Sequence, residues 1–346
     1  MRKLKYLMVL TLPLTVYVSF TSKGMLTFLP IIYAFLIIPI LELFFKPDAN
    51  NDDAQRNESS DNLVFDWFLY LVVPIQYVFV ALFLITISSD DLSWFELVGR
   101  ISAMGILCGV LGINVAHELG HRSDEREKFL AKALLLSSLY MHFFIEHNRG
   151  HHKNVSTPED PNSARKGEIL YLFWFRSVTM AYLSAWKISF QDMKKAGKNW
   201  FSLSNEMLQF QLIQICFCLL IFAVFGWTEM LCFIAAAVIG FLLLETVNYI
   251  EHYGLSRKKN ESGRYERVQP GHSWNSNHIL GRSLLFELSR HSDHHFLASR
   301  KYQTLRHMDN SPQMPTGYPG MMVLSIFPPI WFFVIHKSMR NQKLLQ

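Results

Sequence analysis

Charge and cysteine are both scarce in this chain. Only 18% of its 346 residues are Asp, Glu, Lys or Arg, where about a quarter is usual for a soluble domain. With half of the residues hydrophobic and a mean hydropathy of +0.16, the deficit points to an integral membrane protein. The four cysteines, Cys108, Cys216, Cys218 and Cys232, form no pair of Cys-x-x-Cys motifs. All four fall inside apolar runs, where they read as small packing residues. That excludes a fused cysteine-ligated metal module. No Gly-x-Gly-x-x-Gly segment is present to hold a dinucleotide. A reaction that consumed electrons would have to draw them from another protein.

What the chain has is apolar length. Runs at 6–20, 25–45, 65–87, 97–116, 207–225 and 230–250 each approach the roughly 20 residues that a helix needs to cross the hydrocarbon core. The first is short, contains Pro13 and follows Arg2, Lys3 and Lys5 as a signal peptide would. A second run begins only a few residues later, which fits a membrane hairpin better than a cleavage site. The expected fold is all-α: about six transmembrane helices in a single membrane-embedded domain over 1–346. A histidine-rich cap is expected from 117–206 and 251–346, and 46–62 reads as a solvated linker. Within the cap, 129–147 is apolar enough to lie against the membrane, and 154–167 reads as a loop around Pro158 and Pro161. Residues 181–198 read as an amphipathic helix, and 321–335, broken by Pro328-Pro329, as an interfacial segment.

Sidedness follows from charge. Residues 122–206 hold 13 Lys or Arg against 9 Asp or Glu, and 251–346 hold 13 against 6. The positive-inside rule places both segments and the basic N-terminus in the cytoplasm. Helix parity agrees, and leaves the acidic turn at 89–96 outside. The net charge of +5 is absorbed by that rule and carries no argument for nucleic acid.

Nine of the fourteen histidines fall into four clusters at the ends of apolar stretches. They are His117 and His121; His147, His151 and His152; His252; and His291, His294 and His295. Spacings of three and four put imidazoles on one helix face. Nine are too many for one ion of the transition series, so two ions near a membrane surface are expected. Imidazole suits Zn, Cu, Fe and Ni alike, so the ligand type leaves the metal open. His117-Glu118-x-x-His121 alone is also a zinc-protease signature, but such a site needs one further ligand, not seven more histidines. A histidine-rich metal transporter or sensor is the reading from another class. It calls for polar residues deep in several spans, and Gln76 and Glu245 are the main ones. Glu118, Glu146, Glu251 and Asp293 are expected to orient imidazoles from behind. His142, His307 and His336 read as surface or interfacial residues.

Several runs carry a resemblance: Asn114-Val-Ala-His-Glu-Leu-Gly-His121, Phe143-Phe-Ile-Glu-His-Asn-Arg-Gly-His-His152, Asn248-Tyr-Ile-Glu-His-Tyr-Gly-Leu255, His272-Ser-Trp-Asn-Ser-Asn-His278, Arg290-His-Ser-Asp-His-His295 and Pro315-Thr-Gly-Tyr-Pro-Gly320. In order and content they resemble the integral-membrane alkane monooxygenases, relatives of the membrane fatty-acid desaturases and hydroxylases. The resemblance implies a cytoplasmic cap in a bacterial inner membrane, with two non-haem Fe ions held by the nine histidines. It also implies O2 as co-substrate and terminal hydroxylation of n-alkanes drawn from the bilayer. Electrons would come from rubredoxin and its NAD(P)H-dependent reductase. His272 and His278 match a family element and are expected beside the metal ligands. Alkylbenzene methyl groups or fatty acyl chains are the alternative substrates. One departure stands out: the family usually has Leu-Gln-Arg where this chain has Leu288-Ser289-Arg290. The loss of that amide bears on substrate range or carrier fit.

Overall fold

The computed structural model describes residues 3–52, 55, 63–89 and 91–344. Six helices are long and apolar enough to cross a membrane: α1 (Lys3–Thr21), α2 (Gly24–Phe44), α3 (Leu63–Ser89), α4 (Trp94–Gly120), α7 (Glu206–Phe225) and α8 (Trp227–His252). Between α4 and α7 lie α5 (Glu125–Leu136) and α6 (Leu170–Lys195). The chain closes with α9 (His291–Phe296), α10 (Tyr318–Ser325) and α11 (Pro328–Asn341). Among the described residues there is no strand, only two isolated bridges. The all-α expectation with six spans holds.

Helix ends are written in the sequence. Ser93 caps α4 in a reciprocal box with Glu96, whose other oxygen accepts the Gly24 N–H at 2.8 Å and joins the starts of α2 and α4. Asp124 caps α5 and Asn205 caps α7. The Pro328-Pro329 pair, where a break is expected, opens α11 at the helix position where proline costs least. The expected 181–198 helix begins earlier, at Leu170, because the apolar stripe of Leu170, Phe173, Ser177 and Ala181 is already buried there. The 129–147 segment divides instead of running on. After α5 the chain turns through Leu139 at φ 50° into a short Phe143–Glu146 helix.

α4 is the inner helix. It packs against α8 through small residues, and a Cβ added at Gly109 would stand 2.8 Å from the Gly240 carbonyl oxygen. Where no water separates helices, such close backbone approach is the chief source of packing energy. The N-terminus, the 45–52 segment and the cap share one end of the bundle. There Lys5 Nζ meets Glu287 at 2.7 Å, Arg282 Nη1 donates to the Asp48 carbonyl at 2.8 Å, and Glu42 accepts the Gly281 N–H at 2.8 Å. The opposite end carries the 91–96 turn, where Lys23 reaches the Asp91 carbonyl. The ends pair as the charge pattern expects.

Candidate metal centre

All nine clustered histidines converge at the cap end. They form two groups, His117, His121, His147, His152 and His294, and His151, His252, His291 and His295. In each, one donor atom per residue lies within 4.8 Å of every other. The Nε2 atoms face one another: His147 and His121 at 3.1 Å, His152 and His147 at 3.0 Å, His151 and His295 at 3.2 Å, His291 and His252 at 3.3 Å.

Local backbone geometry sorts the histidines between groups. Spacing alone pairs His147 with His151, four apart. The structure makes His147–His151 a π-helical turn, with the His152 N–H bonded to the His147 carbonyl. That wider turn stacks i over i+5. His147 and His152 therefore share the first group, and His151 turns to the second. In α9, His291 and His295 keep the ordinary i, i+4 face, while His294 points to the first group. His117 and His121 hang from the last turn of α4, below a π-helical stretch at Cys108–Ile113.

The residues fit a metal. His117 Nε2 is buried without any hydrogen-bond partner, a costly state for a polar atom that an ion would relieve. The His151 Nδ1 donates to Asp160 at 2.9 Å, and the His252 Nδ1 lies 3.4 Å from the His272 carbonyl. Each contact fixes the tautomer that frees Nε2 for a metal. Burial, then repulsion from neighbouring imidazoles, pushes His147, His152, His294 and His295 well below the ordinary imidazole pKa. At neutral pH these imidazoles are neutral, the form a metal ion would need.

The carboxylates divide unevenly. Glu251 Oε2 lies 3.1 Å from His291 Nε2, and its other oxygen accepts from Tyr318. Glu118 serves Arg122 and the Tyr302 N–H, Glu146 serves Asn162 and Ser184, and Asp293 serves Arg300 and Arg306. None of these three has an imidazole partner among the described contacts. Besides Glu251, Asp160 holds an imidazole, that of His151, from within the segment expected as a loop. Burial drives its acidity down, but the His151 ring and the Ser163 hydroxyl outweigh that and keep its pKa below the ordinary range. Glu146 is pushed the other way by burial and by the charge of Asp160. His272 contributes its carbonyl rather than its ring, which sits between the Gln269 N–H and Glu266. His278 bonds Ser276 and reaches neither group.

His142 corrects an expectation. It is 5% exposed, packed on Tyr140 and Tyr182, with Nε2 unpartnered. Its aromatic neighbours, not solvent, receive it. His307 and His336 are half-buried instead, bonded to Asn277 and Tyr253. Ser289 is buried and its hydroxyl has no partner. Its neighbour Leu288, not Ser289, lines the cavity described next.

A narrow apolar cavity leads to the histidines. Leu12, Tyr33, Phe35, Leu243 and Met322 line its walls, and His117, His147 and His291 close its end. Two π-helical turns, Tyr33–Ile37 and Cys108–Ile113, contribute to the same walls. The arrangement can hold metal ions at the head of an apolar slot.

Comparison with known proteins agrees with that geometry. A fatty acid desaturase family model matches residues 92–325, which contain all nine histidines. Alkane 1-monooxygenase 1 of Pseudomonas aeruginosa is 38% identical over 314 residues, covering 90% of this chain and 82% of its own length. Alkane 1-monooxygenase of Pseudomonas putida is 40% identical over 298 residues, covering 86% and 73%. The xylene/toluene monooxygenase hydroxylase component of Pseudomonas putida is 27% identical over 271 residues, covering 78% and 72%. The chain belongs to the integral-membrane alkane 1-monooxygenases, within the fatty acid desaturase superfamily. It is a monooxygenase.

Proposed function

We propose that the protein hydroxylates the terminal carbon of n-alkanes with O2, at two iron ions held by His117, His121, His147, His152 and His294 and by His151, His252, His291 and His295. The balance is R–H + O2 + two electrons + two protons giving R–OH + H2O. Bound iron would supply O2 activation and removal of hydrogen from a C–H bond that no protein base can deprotonate. Reduced rubredoxin, recharged by its NAD(P)H-dependent reductase, supplies the electrons. The excess of Lys and Arg in the cap supports a site on the cytoplasmic face of an inner membrane.

The observation that carries this reading is the cavity ending on histidines of both groups. Its walls bind an alkane by excluding water, and its narrowness presents a chain end first. Glu251, held by Tyr318, reaches the same His291 Nε2 that faces His252 and so stands on the metal side of that ring, while Asp160 orients His151 from behind.

The test is purified protein in nanodiscs with rubredoxin, reductase, NADH and O2, offered n-alkanes, fatty acids and alkylbenzenes. Two irons per chain and 1-alkanols are expected. A single zinc per chain, or products from alkylbenzenes alone, would falsify the assignment.

A further inference from the structure

Two openings reach toward the histidines from the polar side of the cap. The first is lined by His121, Arg122, Lys128, Lys132 and Arg149. Its cations are already neutralised: Arg122 by Glu118 at 2.7 Å, Lys128 by Glu125 at 2.7 Å, Lys132 by Glu206 at 2.6 Å, and Arg149 by Asp192 at 2.5 Å.

The second differs in kind. Its rim carries Arg165, Lys166, Lys258 and Lys343, and Asp160 and Ser163 lie at its floor. Among the described residues no carboxylate is ion-paired with any of the four rim cations. Two of the acids nearby are held by other groups. Glu168 is gripped by Arg176 at 2.7 and 2.8 Å, and Glu266 accepts the Lys258 backbone N–H and stands beside His272. The floor connects inward by one hydrogen bond: Asp160 to His151 Nδ1 at 2.9 Å, with His151 Nε2 facing His295 at 3.2 Å.

We propose that this basic rim is the docking surface of a small acidic one-electron carrier protein, whose electrons enter through Asp160 and His151. The inference rests on the monooxygenase reading above and adds where the reductant binds. Each turnover takes two electrons, so two reduced carriers dock in succession, each leaving oxidised by one electron. Unpaired cations around a concave polar mouth set association rate and partner choice for an oppositely charged protein. The rim is built where the loop carrying Arg165 and Lys166 meets the loop carrying Lys258, just beyond the end of α8 at His252, through the Gly254 N–H to Ala164 carbonyl bond at 3.0 Å, so its mouth opens beyond the end of that span.

Reduced rubredoxin is the probe. In nanodiscs, the triple variant Lys166→Glu/Lys258→Glu/Lys343→Glu is expected to raise the KM for rubredoxin on the order of tenfold. It should also lose the native dependence on ionic strength. Iron content, and turnover driven by dithionite with a small mediator, should match the native protein. Lys128→Glu/Lys132→Glu, at the neutralised opening, should leave the KM unchanged. An unchanged KM in the triple variant, or an equal rise in the Lys128/Lys132 variant, overturns the proposal. So does a defect that follows the anionic lipid content of the nanodisc instead of the carrier. Rubredoxin binding to the nanodiscs is measured separately without turnover. Weaker binding in the triple variant supports the docking site even where no alkanol forms, and that last result counts against the hydroxylase reading alone.

Discussion

His142 shows how far burial reshapes a single side chain. Packed between Tyr140 and Tyr182 with an orphaned Nε2, it is pushed by burial from the usual imidazole pKa down to about 3. Its folded pKa lies below its unfolded one, so the unfolded chain binds the extra proton and stability falls as pH drops below the unfolded value. The loss is about 1.4 kcal/mol per pH unit between the two values. His142→Phe keeps the shape and removes the unmet nitrogen. The variant should unfold at the same or a higher temperature at pH 7, and its advantage should widen at pH 5. Equal pH dependence in both proteins would refute the account. No local pattern marks this position, because a histidine beside apolar residues reads the same whether it faces lipid, water or a tyrosine. The nine clustered histidines were legible because spacing encodes helix face. Asp160 was not, because its bond to His151 crosses a loop whose path no local pattern records. The carboxylates adjacent to histidines in sequence, Glu118 and Glu146, turned out to face other partners for the same reason: adjacency along a helix puts neighbours on different sides.

At the scale of elements, the apolar runs fixed all six spans to within a few residues, because burial in lipid leaves a long uniform signal. The π-helical turns left no such signal. An inserted residue changes the face on which everything after it falls, and only His152 joining the first group reveals it. The seam between α4 and α8 was equally silent, since glycine spacing gains meaning only when a second helix lies against it. A Cβ at Gly240 would stand 2.7 Å from the Cys108 Cβ. Gly240→Leu should therefore part the two helices, costing about 1–3 kcal/mol, read as a lower unfolding midpoint in detergent. Because Gly109, Val110, Leu243 and Leu244 line the cavity on either side of that seam, preference among alkanes of different length should shift as well. A native midpoint and native preference would mean the seam is looser than drawn.

At the scale of the molecule, the two histidine groups tie together α4, the π-helical turn, α8 and α9. An ion that binds the folded chain and not the unfolded one stabilises the fold by its binding free energy. Removing the metal with a chelator should lower the unfolding temperature of the whole protein, and restoring ferrous iron should recover it. A chelated protein that melts with the loaded one would show that the fold stands without the metal. Charge pattern and helix parity had already predicted that these segments share one end, and the contact of Lys5 with Glu287 shows it at the N-terminus.

The spread of the clustered histidines along the chain also bears on how the protein is made. His117 and His121 emerge with the fourth span, yet each group draws on α9, the last of the four segments to be synthesised. At roughly 5–20 residues per second, the ribosome needs on the order of ten seconds or more to travel from one to the other. Throughout that interval the early imidazoles wait half-assembled at the bilayer rim. Any ion that needs a whole group is thus captured late, after the spans are made, and a chain released before α9 can complete neither group.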